Sequence, residues 1–338
     1  MENNTKQITK AVILAAGKGT RFMPATLCVA KEIFPILEKP ALFYHLKECV
    51  QSGITDVLIV ISKSKKDMLK FIYPDVKQLN ALIASGKKDF VEEYIQVLSQ
   101  LNIKVKFCNK ALGSAYAMLP AKKWSNGEPY ILIFGDDIMV GNTKTCISQI
   151  ADVYYKTGKP VINFVQFKAE EMYKYGTAEI SGQDGRILHL KSLVEKPAPG
   201  TEPSTYGIAS KYVITPNVYD EIAKLQPKNG EYCLTDAWNS MASRGEVVGW
   251  VLDGTYYDCG SKLGLTKCYV DFALKDESIS NEFSQWLSQK TKGDSGKVQQ
   301  EAKKSAAKKS GKATAKPAAK KTTNKTSSKT VTKAKAAK

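Results

Sequence analysis

Short apolar runs alternate with amphipathic stretches along the first part of the chain. Residues 11–16 and 57–61 have the length and the β-branched content expected of buried parallel strands. Between them, residues 40–51 carry apolar side chains at the three- and four-residue spacing of a helix, with a proline at the start and Gly53 just after the end. Strand, helix and strand within about fifty residues predict a βαβ unit with a parallel sheet.

The same alternation continues through most of the chain. We predict further helices over 65–72, 77–101, 115–123, 218–225, 235–243, 262–274 and 281–288, and further strands over 130–134, 161–167, 187–193, 209–214 and 247–252. Such alternation predicts one α/β domain over residues 1–289, built on a doubly wound, mostly parallel (Rossmann-like) sheet with a β-rich C-terminal portion.

The composition changes beyond residue 289. Residues 290–338 contain sixteen lysines, two acidic residues and no aromatic side chain, which accounts for +14 of the formal net charge of +17. Such a segment buries too little apolar surface to offset its ordering entropy, so we predict a disordered, Lys/Ala-rich basic tail over residues 290–338. Two interpretations of the tail are open: a solvated extension, or a non-specific binder of nucleic acid and other polyanions.

The cysteine pattern and the apolar runs bear on the cellular setting. Seven cysteines are scattered without a CxxC spacing, and there are two histidines, which favours reduced cysteines over a zinc site or a disulfide framework. No apolar run approaches the roughly 20 residues of a membrane helix. We therefore expect a cytoplasmic protein without membrane insertion.

The first predicted strand leads into AAGKGTRFMP, residues 15–24. The two glycines allow close backbone approach to a phosphate, but the pattern fits neither a P-loop nor the GxGxxG dinucleotide fingerprint. Arg21 adds a planar fork suited to phosphate oxygens, and Lys31 adds a second positive charge. Together they suit a triphosphate; the alternative is a tight surface turn with solvated basic side chains.

Further motifs follow in a definite order. They are AAGKGTRFMPAT with KE at 31–32, KPALFYHLKECVQSGITDVLIV, LGSA at 112–115, FGDD at 134–137, VEKP at 194–197, LTDA at 234–237, DCGSKLG at 258–264 and FSQWL at 283–287. In this order they resemble the sugar-phosphate nucleotidyltransferase family, and within it the bacterial-type UTP–glucose-1-phosphate uridylyltransferases (UDP-glucose pyrophosphorylases). The resemblance covers roughly residues 8–289.

The resemblance implies a reaction and a set of site residues. The reaction is transfer of a uridylyl group from UTP to glucose 1-phosphate, giving UDP-glucose and pyrophosphate, in a homodimer or homotetramer. The implied residues are Arg21 and Lys31 for catalysis, Ala15, Ala16, Gly17, Gly19, Thr20, Gly113 and Asp136 for the nucleotide, Gly176, Glu195, Lys196 and Tyr206 for the sugar phosphate in the C-terminal portion, and Asp136 and Asp258 for Mg²⁺.

Three segments depart from the family's usual pattern. Leu27 stands where these enzymes usually carry lysine, and residues 107–110 are shorter than the glutamine-containing segment that reads the uracil edge. Residues 231–233 read EYC in place of a common EIQ. A related enzyme that uses dTTP, CTP or another sugar 1-phosphate therefore stays open as an alternative. The basic tail leaves open a second alternative, a protein that is chiefly a polyanion binder.

Overall fold

The computed structural model describes residues 6–294, which divide into two compact units, one up to Asp276 and one from Glu277 onward. The strands are β1 Lys10–Ala15, β2 Pro35–Ile36, β3 Lys39–Pro40, β4 Asp56–Ile61, β5 Asn102–Phe107, β6 Tyr130–Phe134, β7 Asp137–Gly141, β8 Val161–Gln166, β9 Thr177–Asp184, β10 Ile187–Val194, β11 Tyr206–Ile214, β12 Val248–Val251 and β13 Gly254–Asp258. The helices are α1 Ala41–Gln51, α2 Met68–Ile72, α3 Val76–Ala84, α4 Glu92–Ser99, α5 Ser114–Ala117, α6 Leu119–Ser125, α7 Cys146–Thr157, α8 Val218–Ile222, α9 Leu234–Ala242, α10 Lys262–Ala273 and, in the second unit, α11 Ser280–Asp294.

A large mixed sheet forms the centre of the first unit. Over the described residues it has nine strands in the order β5-β4-β1-β6-β11-β8-β12-β10-β9. Seven of these strands run in one direction, and only β10 and β11 run against them. The predicted α/β fold with a mostly parallel sheet is therefore confirmed.

Helices cover both faces of this sheet because its strands are apolar on both sides. On β6, Ile131 and Ile133 pack with α1 and α7, whereas Leu132 between them packs with α8 and α9 on the opposite face. Successive side chains of a strand point to opposite faces, so a strand buried on both faces needs a continuous apolar run. The residues that follow β1 and β6 come out at the same edge of the sheet, where ligands bind in open α/β folds.

The single helix predicted over 77–101 is wrong. The chain forms α3 and α4 with a break between them, and Gly86 in that break has φ +77°, a left-handed conformation that ends α-helices. The structure also contains β5, β7, β9, β13 and α7, which the sequence pattern did not predict.

The last predicted helix is longer than expected. The helix expected over 281–288 runs from Ser280 to Asp294 and so passes the predicted end of the domain at residue 289. The division into residues 1–289 and 290–338 stays a prediction, and residues 295–338 of the basic tail lie outside the described residues. None of the helices within 6–294 is both long enough and apolar enough to cross a membrane.

One buried ion pair ties the sheet to its helices. Lys211 on β11 is 1% exposed and pairs with Glu48 on α1. The other carboxylate oxygen of Glu48 accepts the backbone N–H of Ile147 on α7, at 3.0 Å. The neighbouring β11 side chain, Ser210, faces the opposite side of the sheet and donates to Asp137. Adjacent residues of one strand therefore hold polar groups on opposite faces of the sheet.

Candidate active site

The predicted nucleotide-binding turn, residues 15–20, follows β1 directly. Gly19 has φ +66°, and a Cβ there would lie 3.0 Å from the Thr26 Cγ2 atom. The Thr26 hydroxyl donates to the Gly19 carbonyl at 2.8 Å and fixes the turn. At Gly17 a Cβ would meet no atom within 4 Å, so the surface in front of this glycine is open. The turn therefore offers bare backbone at the carboxyl edge of the sheet, as a phosphate-binding turn requires.

Both predicted catalytic cations lie near this turn: Arg21 follows it directly, and the Lys31 Cδ atom would be 3.7 Å from a Cβ on Gly19. Arg21 is exposed, and its Nη1 atom donates to the Gly260 carbonyl at 3.3 Å. Lys31 begins a short 3₁₀ helix and forms an ion pair with Asp136. Burial disfavours the charged form of Lys31, but the carboxylates of Asp136 and Glu32 together outweigh this effect and raise the pKa of the lysine. Lys31 therefore keeps its positive charge in a partly buried position.

A second, fully buried ion pair lies under Lys31. Glu32 is 1% exposed and accepts from the Lys65 Nζ atom with both carboxylate oxygens, at 2.8 and 2.7 Å. Gly135 leaves room for it, because a Cβ at Gly135 would lie 3.2 Å from the Glu32 Cγ atom. Sequence reasoning missed Lys65, which is 33 positions from its partner. The pair anchors the short helix from which Lys31 projects.

The two predicted metal ligands converge on one point. Asp136 follows β6 and Asp258 ends β13. A Cβ placed on Gly260 would lie 2.7 Å from the Asp136 Oδ2 atom and 3.1 Å from the Asp258 Oδ1 atom. Two hard carboxylate oxygens within 3.1 Å of the same point could share a divalent cation that keeps several waters. No group of three or more His, Cys, Asp or Glu side chains is placed to hold a metal ion in the described part of the chain.

Asp137 differs from its neighbour Asp136. Its side chain is buried and accepts the Ser210 hydroxyl, and burial together with the Asp136 charge raises the pKa of Asp137 well above its usual range. Burial also opposes ionisation of Asp136, but the Lys31 ammonium outweighs it and lowers the pKa of Asp136. The two adjacent carboxyl groups therefore have different proton affinities, and Asp136 is the better cation ligand.

A cavity of about 320 Å³ is lined by six of the fourteen predicted site residues. Its walls bring together Arg21, Asp136, Asp258, Gly176, Glu195 and Lys196, together with Ser114, Phe134, Asp137, Lys174, Tyr175, Ile208, Ser210, Tyr212, Cys233, Leu234, Thr235, Tyr256 and Ser261. These six residues face one space although they come from positions 21 to 258 of the chain, whereas Lys31, Gly113, Tyr206 and the turn residues Ala15, Ala16, Gly17, Gly19 and Thr20 are not part of its lining.

Glu195 and Lys196 lie beside Gly176 in this cavity. The Lys196 Nζ atom is 3.5 Å from the Glu195 Oε1 atom, and Lys196 has φ +45°, which is unusual for a side-chain-bearing residue. A Cβ at Gly176 would lie 2.9 Å from the Ile208 Cδ1 atom and 3.1 Å from the Glu195 Oε2 atom. Gly176 therefore permits the carboxylate to approach the backbone closely.

Tyr206 does not line the cavity. β11 passes the cavity with Ile208, Ser210 and Tyr212, whereas Tyr206 lies at the start of the strand beside β9. Its hydroxyl donates to the Gln183 side chain at 3.4 Å. The expectation that Tyr206 contacts the sugar therefore has no support in this geometry.

Sequence reasoning missed an aromatic wall of the cavity. Tyr175 stacks on Phe167 with ring centroids 4.1 Å apart and an interplanar angle of 9°, and Tyr256 meets Phe167 edge to face. Tyr175 and Tyr256 line the cavity. The available signal was their position next to predicted residues, since Tyr175 precedes Gly176 and Tyr256 lies two residues before Asp258.

Gly113 is fixed by a neighbouring segment. It has φ +94°, and a Cβ there would lie only 2.5 Å from the Tyr232 carbonyl oxygen. Tyr232 donates its N–H to the Leu112 carbonyl at 2.7 Å, and its carbonyl accepts from Ala115 at 3.1 Å. Only glycine fits this contact, which joins the LGSA segment to the segment before α9.

Of the three sequence departures, Leu27 and residues 107–110 do not line the cavity, whereas Cys233 of the third does. Leu27 is 71% exposed in a short 3₁₀ helix. The Asn109 side-chain oxygen accepts the Lys63 N–H at 2.9 Å, which ties the short segment after β5 to the segment after β4. Both segments lie at the carboxyl edge of the sheet, on the side of β1 away from β6.

This fold and cavity define a transferase that acts on nucleotides. Residues 10–273 match the nucleotidyl transferase family, and the chain belongs to that family. The chain is 35% identical to the UTP–glucose-1-phosphate uridylyltransferase of Staphylococcus epidermidis over 286 residues, which cover 84% of this chain and 99% of that protein. It is 34% identical to UTP–glucose-1-phosphate uridylyltransferase 2 of Staphylococcus saprophyticus over 284 residues, covering 83% and 98%.

Solved structures agree with this family membership. The UTP-bound UGPase from Acinetobacter baumannii superposes with a TM-score of 0.76 at 25% identity, covering 83% of this chain and 99% of that one. A UDP-glucose pyrophosphorylase complexed with UDP-glucose gives a TM-score of 0.74 at 24% identity, covering 80% and 100%, and shares the fold.

Proposed function

We propose that the protein transfers a uridylyl group from UTP to glucose 1-phosphate and releases pyrophosphate. The observation that carries this proposal is the single cavity that joins cations (Arg21 and Lys196) to carboxylates (Asp136, Glu195 and Asp258). The names of the relatives supply the two substrates, because they are UTP–glucose-1-phosphate uridylyltransferases.

The residues of the cavity suit an in-line transfer. A phosphate oxygen of the sugar phosphate attacks the α-phosphorus of the nucleotide, and the bond to the bridging oxygen of the β-phosphate breaks. Lys196 holds the attacking phosphate, while Arg21 and Lys31 stabilise the negative charge that collects on the departing pyrophosphate. Catalysis of this kind rests on positioning and electrostatic stabilisation and needs no covalent enzyme intermediate.

Asp136 and Asp258 are the residues that would hold Mg²⁺. One oxygen of each carboxylate lies within 3.1 Å of the same point, and oxygen ligands together with water are what this cation prefers. A bound Mg²⁺ would supply charge neutralisation between the two substrates' phosphates.

The test is a nucleotide panel. The purified full chain is incubated with Mg²⁺, glucose 1-phosphate and one nucleoside triphosphate at a time, and pyrophosphate release is measured. We expect release with UTP. Release with dTTP or CTP instead would keep the mechanism and change the nucleotide; a parallel panel of sugar 1-phosphates tests the acceptor. No release with any pair would overturn the proposal. The Asp258→Asn variant, paired with the control Asp184→Asn on the exposed end of β9, tests the site itself.

The basic tail is a candidate for a separate function. Its sixteen lysines against two acidic residues suit non-specific binding of a phosphate backbone, which weakens steeply with salt. Truncation after Asp294, the end of α11, leaves the helix complete. Loss of DNA binding with full transferase activity would establish a function added by the tail, and unchanged DNA binding would leave the solvated extension. The homo-oligomer and the cytoplasmic location also stay predictions.

A further inference from the structure

One hydrogen bond inside the cavity fixes the carboxylate of Glu195. The Thr235 hydroxyl donates to the Glu195 Oε2 atom at 2.6 Å, and Thr235 is 8% exposed. A hydrogen bond at this distance to an ionised acceptor is charge-assisted and stronger than a neutral one. The same oxygen lies against Gly176, where a Cβ would be 3.1 Å away. One carboxylate oxygen is therefore occupied by the protein.

The other oxygen of Glu195 remains available to a ligand. The Oε1 atom is 3.5 Å from the Lys196 Nζ atom, and both side chains line the cavity. A free glutamate side chain samples many rotamers, and restricting it costs up to about 2 kcal/mol of conformational entropy. A hydroxyl that restricts the carboxylate before the ligand arrives removes part of that cost from binding.

The segment that carries Thr235 is itself held firmly. Residues 232–234 make three hydrogen bonds to residues 112–115: Tyr232 N–H to the Leu112 carbonyl at 2.7 Å, Ala115 N–H to the Tyr232 carbonyl at 3.1 Å, and Leu234 N–H to the Ser114 hydroxyl at 3.0 Å. Thr235 follows directly, in the first turn of α9. Its hydroxyl is thus positioned by the LGSA segment rather than by a free loop.

We infer that Thr235 is a positioning residue for the sugar-phosphate half of the site. It holds Glu195 so that Oε2 faces α9 and Oε1 accepts hydroxyl groups of the sugar. This inference rests on the proposed function, in which Glu195 contacts the sugar. Thr235 acts through Glu195 and does not touch the reacting atoms. Its loss therefore weakens sugar-phosphate binding more than it slows the chemical step.

The test compares variants that remove or keep the hydroxyl. Thr235→Val removes it at nearly constant volume, and Thr235→Ser keeps it. Thr215→Val is the matched control, since Thr215 is also 8% exposed but does not line the cavity. All are assayed as full chains with Mg²⁺, the active nucleotide and a range of glucose 1-phosphate concentrations, together with thermal unfolding.

For Thr235→Val we expect KM for the sugar phosphate to rise about 10- to 100-fold, the range for hydrogen bonds to charged groups. We expect kcat and KM for the nucleotide to change less than about threefold, with Tm unchanged. Thr235→Ser and Thr215→Val should match the parent protein. An unchanged KM in Thr235→Val would overturn the inference, and so would a fall in Tm with both KM values raised and no rescue by Thr235→Ser.

A double variant separates this inference from the proposed function. In the Glu195→Gln background, Thr235→Val should add little, because the two residues act through one contact. If the effects of the two substitutions add fully, the inference is overturned. If Thr235→Val does not fold, Thr235→Ala replaces it in the cycle. If the parent protein is active and Thr235→Val has the same kinetic constants, only the positioning role is refuted. An inactive parent protein refutes the proposed function.

Discussion

Gly260 gives the sharpest test of the metal-binding point. In Gly260→Ala, the new methyl carbon would lie 2.7 Å from the Asp136 Oδ2 atom, 3.1 Å from the Asp258 Oδ1 atom and 3.5 Å from the Arg21 Nη1 atom. Non-bonded heavy atoms in ordinary contact lie about 3.5 Å apart or more, so the Asp136 oxygen must retreat by roughly 0.8 Å. The methyl group would then displace the two carboxylate oxygens from the positions in which they could share a cation.

The expected effect follows from how little displacement a metal site tolerates. Mg²⁺ requires oxygen ligands at about 2.0–2.1 Å in near-octahedral geometry, and misplacing reacting groups by about 1 Å can cost roughly 100-fold in rate. We therefore expect kcat/KM to fall about 100-fold, or roughly 2.7 kcal/mol in barrier, with a higher Mg²⁺ concentration for half-maximal rate. Stability should change little, because Gly260 lacks a left-handed φ and the crowded atoms are ends of side chains.

The assay is the initial rate of pyrophosphate release against Mg²⁺ concentration, with thermal unfolding as the check on folding. Gly182→Ala is the matched control: it lies on β9, also without a left-handed φ, and its Cβ would meet the His189 ring at 3.3 Å. We expect this control to behave as the parent protein. A Gly260→Ala protein with the parent rate and the parent Mg²⁺ requirement would refute the reasoning that Asp136 and Asp258 share one cation.

Three further predictions follow from named contacts. Lys31→Ala should lower kcat by about 100-fold or more, the scale for removing one preorganised stabilising group, because the cation beside Asp136 is lost; near-normal turnover would remove Lys31 from the mechanism. Lys65→Met should lower the free energy of unfolding by about 3–5 kcal/mol, because it leaves a buried carboxylate without its partner; urea unfolding beside the exposed control Lys63→Met decides this. Burial lowers the pKa of His45 to about 3. Below pH 6.5 the unfolded chain therefore binds a proton at His45 that the folded protein does not bind. Between pH 6.5 and 5 this costs about 2 kcal/mol of stability, and urea unfolding should show that His45→Gln escapes this loss; equal losses in both proteins would contradict it.

The local parts of the site could be predicted from the sequence because their signals are local. The glycine turn after β1 and the carboxylates after β6 and at the end of β13 are each marked by a short motif beside an apolar strand. The strand β7 was not predicted, because it begins at Asp137, immediately after a pattern typical of a turn. Its partner is β13, more than a hundred residues away, and no local pattern shows that pairing.

The contacts that complete the site could not be predicted, because they join distant segments. Thr235 meets Glu195 across 40 positions, and Lys65 meets Glu32 across 33. Such hydrogen bonds depend on how helices pack against strands, which single-sequence periodicity does not encode. The resemblance placed Tyr206 in the sugar pocket, whereas the path of β11 leaves it outside.

The two neighbouring polar residues of β11 also protect the sheet from assembling incorrectly. Moving a strand by one residue exchanges its faces. Such a slip of β11 would turn the Lys211 ammonium toward Asp137 and the active-site cavity, and it would leave Glu48 buried opposite a serine. An uncompensated buried charge costs several kcal/mol, far more than the loss of one apolar contact. The unpaired Glu48 carboxylate would thus penalise a one-residue slip of β11, the strand that helps to build the cavity.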